Sequence, residues 1–284
     1  MNRRRFPIAL MLVAGLFFLW TVSAAYAGVL EDIKSKEEIV ISTDANYAPQ
    51  SFLNDKGELD GFDIDVSKEV AKRMGVKVKF VTPDWDLIVA GKWGARWDLS
   101  IGSMTITSAR AKVVDFSTPY YYTPAQFGVH KKNTTIKTLD DFAGKIVGLG
   151  SGTTYETYLD PNQELGIGGG EKIVYQVKNV KKIRIYTTDM EAVQDLALGD
   201  GVRIDGVLTS GFVIEEAGKK GIPIKVVGDP VYYESLAAAS DKARPGSADL
   251  VKKVSEIFQA MHADGTLTKF SMKWFGFEVT KKAK

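Results

Sequence analysis

Short apolar runs alternate along most of the chain with segments in which apolar residues recur at helical spacing. Residues 38–43 are rich in Ile and Val and predict a strand. Residues 61–74 carry an apolar stripe of helical period, and Gly75 predicts where that helix ends. Residues 248–263 and 266–274 predict two closing helices. This alternation of strands and helices is typical of an α/β protein.

The later part of the chain repeats this pattern between two extended segments, which lie around residues 125–130 and 232–239. We predict that residues 28–126 and 233–284 form a discontinuous first lobe and that residues 127–232 form an inserted second lobe. Two crossings of the chain make a hinge, and a hinge allows closure around a ligand. Strands of the inserted lobe are predicted at residues 145–149, 173–177, 206–208 and 224–227.

The first 27 residues differ in character from the rest of the chain. Arg3, Arg4 and Arg5 precede a nearly unbroken apolar run over residues 8–22, and the small residues of Ala25-Tyr26-Ala27 follow it. This pattern predicts a secretory signal peptide over residues 1–27, cleaved after Ala27, and therefore a periplasmic protein. The alternative is a retained membrane anchor, but the apolar run is short for a membrane span.

Charge and composition narrow the range of partners. The sequence has 37 basic and 35 acidic residues, and three of the arginines but no acid lie within residues 1–27, so the remainder is close to neutral. No basic field remains to indicate binding to nucleic acid. The sequence has no cysteine and two histidines, which excludes a disulfide framework and a Cys/His metal site. We predict no metal and no other cofactor, and a monomeric protein.

Polar and aromatic side chains follow the predicted strands, at the edge where an open parallel sheet binds its ligand. Arg110 offers a planar fork that can hold a carboxylate through two hydrogen bonds. Nearby hydroxyl and backbone N–H groups can complete an anion site, and aromatic rings can sandwich a ligand side chain. This combination suits a zwitterionic amino acid. The residues in question are Asp44, Tyr47, Trp85, Ser103, Thr105, Arg110, Thr153 and Thr154.

The same residues also have purely structural explanations. Arg110 can instead pair with Asp115 at the surface, and Tyr47 and Trp85 can belong to the core. The turn over residues 150–154 can simply join a strand to a helix. It is not a phosphate-binding loop, because it lacks the Gly-Lys-Ser/Thr ending of such loops.

A series of short motifs runs through the chain after residue 27. The motifs are DANYAP at residues 44–49, GFDIDV at 61–66, GSMTIT at 102–107 with Arg110 after it, DFSTPY at 115–120, Val147-Gly148, GTT at 152–154 and DGT at 264–266. Together, and in this order, they resemble the bacterial extracellular solute-binding proteins of family 3, which bind polar amino acids, over essentially the whole chain after residue 27. The resemblance implies the type II periplasmic-binding-protein fold, in which two α/β lobes are joined by a two-strand hinge with a ligand cleft between them.

The resemblance also implies roles for individual residues. Arg110 matches the arginine that holds the ligand's α-carboxylate, and Asp44 matches an acid near the distal pocket. The family places a further acid, which binds the ligand's amino group, after the strand predicted at residues 206–208, where this sequence has Ser210. Either Asp189 or Glu234 replaces that acid, or the ligand is not a standard α-amino acid. The other implied contacts are Ser103, Thr105, Thr153 and Thr154 to the carboxylate and Tyr47 and Trp85 to the ligand side chain, and Ser210 and Glu234 complete the predicted ligand-binding set.

The function implied by this resemblance is that of the periplasmic binding component of an ABC-type importer. The protein would close on a polar amino acid or a related small carboxylate and dock on the permease subunits in the membrane. One alternative is a secreted dehydratase-type enzyme on the same fold, with Glu234 or Asp44 as general acid. Another is a sensor subunit that presents its ligand to a membrane receptor. No paired carboxylates, metal ligands or Ser-His-Asp set stand out in the sequence, so we predict a binding protein without catalytic residues.

Overall fold

The computed structural model describes residues 28–160, 162–168, 173 and 175–282. The predicted signal peptide over residues 1–27 and its cleavage site lie outside these ranges. Among the described residues, none of the helices combines the length and the apolar character needed to cross a membrane.

Eight α-helices lie within the described residues. The helix predicted from its apolar stripe is α2, which buries Phe62, Ile64 and Val66, and Gly75 ends it in the left-handed conformation with a φ of 73°. The helices are α1 (Val29–Lys36), α2 (Phe62–Met74), α3 (Trp85–Val89), α4 (Thr154–Leu159), α5 (Asp189–Ala197), α6 (Gly211–Lys219), α7 (Ser247–Ala263) and α8 (Thr266–Trp274).

Eleven strands form two sheets in the described part of the chain. The strands are β1 (Glu38–Ser42), β2 (Asn46–Tyr47), β3 (Ser51–Leu53), β4 (Leu59–Asp60), β5 (Lys77–Val81), β6 (Leu99–Thr105), β7 (Val114–His130), β8 (Ile146–Gly150), β9 (Lys182–Tyr186), β10 (Gly206–Ser210) and β11 (Ile224–Asp241). A small antiparallel sheet has the order β2-β3-β4, and a larger mixed sheet has the order β5-β1-β6-β11-β7-β10-β8-β9.

The large sheet has a parallel group at each end. β1 runs parallel to β5 and β6, and β8 runs parallel to β9 and β10. Between the groups, β7 and β11 pair antiparallel from Ile224 opposite His130 to Asp241 opposite Val114. We call the part built on β1, β5 and β6 the first lobe and the part built on β8, β9 and β10 the second lobe. The prediction of an α/β architecture is confirmed.

The two extended segments predicted from the sequence belong to the long strands β7 and β11, which carry the chain from one lobe to the other. Each lobe has its own apolar core: Ile39, Phe62 and Val254 are buried together in the first lobe, and Val147 and Leu208 are buried together in the second. The lobe boundaries after residues 126 and 232 stay a prediction.

One strand of the second lobe differs from the sequence prediction. The described residues among 173–177 form no strand, and the strand beside β8 is β9 instead. In β9, charged and apolar residues alternate over Lys182, Ile183, Arg184 and Ile185, and even Ile185 is 51% exposed, because β9 is the edge strand of the sheet. The charges conceal the apolar content of the segment, so a search for Ile/Val-rich runs passes over it.

Candidate ligand-binding site

A pocket lies between the lobes, at the carboxyl ends of their parallel strands. Nine of the ten predicted ligand-binding residues line it: Asp44, Tyr47, Trp85, Ser103, Thr105, Arg110, Thr153, Thr154 and Glu234. The tenth, Ser210, does not. The structure also brings to the pocket residues outside the predicted set, namely Gly102, Gly150, Ser151, Tyr155, Thr187, Thr188 and Asp189.

Arg110 reaches the pocket from a short 3₁₀ turn, Arg110–Lys112, that follows β6. Its Nη1 donates to the carbonyl oxygen of Thr105 at 3.1 Å and its Nη2 to that of Gly152 at 3.0 Å. Burial lowers the pKa of Arg110 from its ordinary value, yet an arginine in a protein stays charged. Because its partners here are neutral carbonyl groups, the guanidinium retains N–H donors and its full charge for a ligand carboxylate.

The structural alternative for Arg110, a surface pair with Asp115, is not what the structure contains, whereas Tyr47 and Trp85 both line the pocket and pack against apolar cores. Asp115 lies 3.5 Å from Nζ of Lys242 and accepts a hydrogen bond from the Ser247 hydroxyl at 2.7 Å. Trp85 lines the pocket with its ring centre 5.2 Å from Cζ of Arg110, within reach of a cation–π contact.

Glu234 is the most extensively hydrogen-bonded acid of the pocket. It lies on β11 and is 3% exposed. Its Oε1 accepts from Oγ1 of Thr105 at 2.6 Å and from Oγ1 of Thr154 at 2.5 Å, and its Oε2 accepts from Oη of Tyr155 at 2.8 Å. Thr105 belongs to the first lobe, whereas Thr154 and Tyr155 belong to α4 of the second. Glu234 therefore connects both lobes through one carboxylate.

Asp189 is an acid that the sequence offered only as a possible replacement. It is the first residue of α5 and is buried. Its Oδ1 accepts from the backbone N–H of Gly150 at 2.8 Å, and its Oδ2 accepts from Oγ1 of Thr209 at 2.9 Å. Burial raises the pKa of Asp189 to about 7, and the nearby carboxylates of Glu234 and Asp44 contribute to the increase. Asp189 begins the helix that follows β9. Because β9 was not predicted from the sequence, it was also not predicted that Asp189 follows a strand and lines the pocket.

Asp44 and the two predicted aromatic residues lie on the opposite wall of the pocket. Asp44 follows β1, and its Oδ1 accepts from the backbone N–H of Asn46 at 2.7 Å. Burial raises the pKa of Asp44 above its ordinary value. Oη of Tyr47 lies 3.4 Å from Oη of Tyr155, and Nε1 of Trp85 donates to the carbonyl oxygen of Gly152 at 3.2 Å. Both aromatic residues thus reach from the first lobe to the second.

Ser103 is held in place by an acid beneath the pocket. It adopts a left-handed backbone conformation with a φ of 58°, which is uncommon for a residue with a side chain. Its hydroxyl donates to Oδ2 of Asp63 at 2.7 Å, and Oδ1 of Asp63 accepts from Oη of Tyr120 at 2.7 Å. Asp63 is fully buried, and burial raises its pKa to about 7. The GFDIDV motif thereby supports a residue of the pocket wall.

The threonine hydroxyls are engaged with the protein itself. Thr105 and Thr154 donate to Glu234, as described above. Thr153 donates to the carbonyl oxygen of Gly150 at 2.8 Å and accepts from the N–H of Glu156 at 3.4 Å, as the N-cap of α4. In this arrangement they position an acid and a helix, and their implied contacts to a ligand carboxylate stay predictions.

Ser210 lies outside the pocket for a geometric reason. Successive side chains of a strand point to opposite faces, so Thr209 reaches Asp189 and Ser210 turns away from it. Ser210 is fully buried, its Oγ lies 2.6 Å from Oγ1 of Thr123, and it accepts from the N–H of Phe212 at 3.3 Å at the start of α6. In this structure Ser210 is a helix cap rather than part of the pocket wall.

Two α/β lobes, joined by two long strands and enclosing a polar pocket, define a solute-binding protein with the type II periplasmic-binding-protein fold. The chain belongs to the bacterial extracellular solute-binding proteins, family 3, whose family model matches residues 39–277. The family and fold inferred from the sequence motifs are therefore confirmed.

Individual relatives and solved structures support this assignment. The L-cystine-binding protein TcyJ of Escherichia coli strain K12 is 35% identical over 276 residues, which cover 96% of this chain and 95% of TcyJ. The structure resembles an ABC uptake transporter substrate binding protein from Streptococcus pneumoniae with bound histidine, with a TM-score of 0.77, 27% identity and coverage of 90% of this chain and 99% of that one. It also resembles the ancestral amino acid-binding protein AncCDT-1, a precursor of cyclohexadienyl dehydratase, with a TM-score of 0.71, 32% identity and coverage of 87% and 99%.

Proposed function

We propose that this protein is the periplasmic binding component of an ABC-type importer and that it closes around a polar amino acid or a related small carboxylate in the pocket between its lobes. One observation carries the proposal: a buried arginine and buried acids line the same pocket. Arg110 is placed to hold a carboxylate, whereas Glu234 and Asp189 are placed to receive an ammonium group. An α-amino acid carries both groups on neighbouring atoms.

Closure of the lobes explains why the pocket is assembled from both of them. Nη2 of Arg110 and Nε1 of Trp85, both in the first lobe, donate to the carbonyl oxygen of Gly152 in the second. Oγ of Ser151 donates to Oδ2 of Asp86 at 3.1 Å across the same gap. A ligand that contacts both walls favours the closed arrangement, because those contacts exist only when the lobes meet. The proposed division into residues 28–126 with 233–284 and residues 127–232 describes the two moving parts.

The hydrogen bonds of Glu234 favour binding over the dehydratase alternative. A general acid must carry a proton to donate. Both carboxylate oxygens of Glu234 are instead engaged by three hydroxyl groups of the protein, which tie it to positioning the two lobes. We therefore propose that the protein has no dehydratase activity although it resembles AncCDT-1, and incubation with a prephenate-like cyclohexadienyl acid should yield no product.

The proposed partners follow from the same role. The closed monomer docks on the permease subunits of the importer in the periplasm, after removal of residues 1–27. A pull-down from the membrane fraction, with the protein saturated with ligand, distinguishes transport from the sensor alternative: permease subunits support transport, whereas a receptor alone supports sensing.

A thermal-shift screen tests the proposed function directly. The panel consists of the common amino acids, ornithine, citrulline, cystine and small carboxylates that lack an amino group. A true ligand at 100 to 1,000 times its Kd stabilises the folded protein by roughly 3–4 kcal/mol and raises its melting temperature accordingly. If no member of the panel raises the melting temperature, the proposed ligand class is wrong.

A further inference from the structure

A turn of the second lobe, formed by Ser151 and Gly152, meets the first lobe at the rim of the pocket. The carbonyl oxygen of Gly152 accepts hydrogen bonds from Nε1 of Trp85 at 3.2 Å and from Nη2 of Arg110 at 3.0 Å. Oγ of Ser151 donates to Oδ2 of Asp86 at 3.1 Å, and both Trp85 and Asp86 lie on α3. These bonds join protein atoms alone, so they favour the closed arrangement whichever ligand lies between the lobes.

The turn is fixed in place by contacts within its own lobe. The N–H of Ser151 donates to the carbonyl oxygen of Tyr186 on β9 at 2.8 Å, and the N–H of Gly152 donates to Oε2 of Glu156 on α4 at 2.9 Å. Gly152 has a φ of 65°, in the left-handed region that suits glycine. Because the turn is already ordered, it loses little conformational entropy when the lobes meet, and its hydrogen bonds contribute more of their strength to closure.

Gly152 lacks a side chain at the point where α3 approaches it. A Cβ atom at this position would lie 2.6 Å from Oδ1 of Asp86, 3.4 Å from Cγ2 of Val89 and 3.6 Å from Cδ1 of Trp85. All three residues belong to α3 of the first lobe. A contact of 2.6 Å is too short for a carbon and an oxygen atom, so a side chain at Gly152 would displace the Asp86 carboxylate from Ser151 or hold the lobes apart. The missing side chain is therefore a condition for this contact between the lobes.

We propose that Trp85 and Asp86 on α3, together with Ser151 and Gly152, form a rim latch that determines how long any bound ligand stays in the pocket. This inference rests on the proposed function of the same pocket. Asp86 and Gly152 are not among the described residues that line the pocket, so substitutions there alter the latch and leave the ligand's own contacts in place. Because apparent affinity scales with the population of the competent form, a weaker latch lowers the affinity for every ligand by the same factor.

Asp86→Ala tests the latch through its hydrogen bond to Ser151. L-cystine, L-histidine and L-arginine serve as probes, and titration calorimetry should show that affinity for each one that binds falls by the same factor, roughly 3- to 10-fold. Stopped-flow measurements should assign the loss to faster dissociation. Asp55→Ala removes an exposed acid from the turn after β3 and should bind like the wild type. Unchanged affinity in Asp86→Ala, or a loss confined to one of several bound probes, overturns the latch.

Gly152→Ala tests the close approach of α3, and Gly144→Ala is its matched control. Gly144 also lies in the second lobe with a left-handed φ of 74°, but no described atom lies within 4 Å of the Cβ it would gain. Both variants should lower the melting temperature by a similar amount, whereas Gly152→Ala alone should weaken binding. The loss should be smaller in the Asp86→Ala background, because the methyl group then enters vacated space. An equal loss in both backgrounds, or in Gly144→Ala, overturns the latch.

Spin labels on the two lobes report the latch without any ligand. Because the sequence has no cysteine, Lys182→Cys on β9 and Lys252→Cys on α7 supply the only two thiols for labelling, at exposed positions. Double electron–electron resonance on the ligand-free protein should show a larger population at the label distance of this closed structure with the wild-type latch than with Asp86→Ala. Identical distance distributions overturn the latch, whereas failure of every probe amino acid to bind overturns the proposed function alone.

Discussion

Oγ1 of Thr209 donates a hydrogen bond of 2.9 Å to Oδ2 of Asp189. The two residues come from different elements, since Thr209 lies on β10 and Asp189 begins α5. The other carboxylate oxygen is fixed by the N–H of Gly150 at the end of β8, which is the neighbour of β10 in the sheet. An acid was expected directly after β10. The second lobe instead provides one from α5, the helix that precedes β10, and orients it with a hydroxyl of β10.

The replacement of Asp189 tests whether this acid binds the ligand. Asp189→Asn keeps the size of the side chain but removes its charge, so affinity for the best ligand should fall roughly 10- to 100-fold. Titration calorimetry measures the change, and the exposed Asp55→Asn variant is the control. Unchanged affinity in Asp189→Asn would remove Asp189 from the site.

Arg110 should contribute more to affinity than any other single side chain. Arg110→Ala leaves the ligand carboxylate buried without its cationic partner, and affinity should fall on the order of 100-fold or more. Arg110→Lys keeps the charge but loses the planar fork, so its loss should be intermediate.

Arg203→Ala provides the matched control for both variants. Arg203 forms an ion pair with Asp195 at 2.7 Å on the surface, and its side chain is 55% exposed. The control should bind like the wild type in the same titration, and circular dichroism should show that all three variants are folded. Wild-type affinity in Arg110→Ala would refute its role as the carboxylate anchor.

The part of the site that the sequence predicted is local in the chain. Thr105 ends β6, and Arg110 begins the short 3₁₀ turn that follows. Knowing that a strand ends there is therefore enough to place both residues at the carboxyl edge of a parallel sheet. The same reasoning placed Asp44 after β1 and Thr153 after β8. For these residues, strand direction and the order of elements determine position.

The part that the sequence did not predict depends on contacts between distant elements. The pairing of Thr209 with Asp189 requires β8, β9 and β10 to lie side by side, and β9 was concealed by its charged residues. Ser210 was placed in the site from its alignment position, but the alternation of side chains along β10 directs it toward Thr123 instead. Tyr155 was missed because it lies one residue beyond the GTT motif.

Ser210 should matter for stability and not for binding. Ser210→Ala removes the cap of α6 and the hydroxyl contact with Thr123, and the loss of a cap costs about 0.5–2 kcal/mol of unfolding free energy. Urea denaturation should detect this loss, whereas calorimetry should find ligand affinity within twofold of the wild type. Ser35→Ala, at an exposed helical position, is the control for both measurements. A tenfold loss of affinity in Ser210→Ala would return Ser210 to the ligand-binding set.

The stability of the empty protein should decrease as the pH rises from about 4 to about 7. Burial raises the pKa values of Asp63 and Asp189 from 3.8 to about 7 in the folded protein. Between these values the folded state holds protons that the unfolded state has released, so raising the pH favours unfolding. Above about pH 7 both carboxyl groups are ionised in the folded and in the unfolded protein, so they cause no further loss of stability. The melting temperatures of Asp63→Asn and Asp189→Asn should be measured beside the wild type at each pH. The difference, variant minus wild type, should increase from pH 5 to pH 8.

Ligand affinity should have the opposite dependence on pH. A cationic group beside Asp189 favours its ionised form and lowers the pKa of that carboxyl, so binding below about pH 7 must release a proton. Affinity for an amino acid whose ammonium group meets Asp189 should therefore rise between pH 5.5 and pH 8. Calorimetry at pH 6 in two buffers of different ionisation enthalpy should detect the released proton as a difference in apparent binding enthalpy. Asp189→Asn should show a smaller difference, and an equal difference in the wild type and the variant would assign the proton to another group.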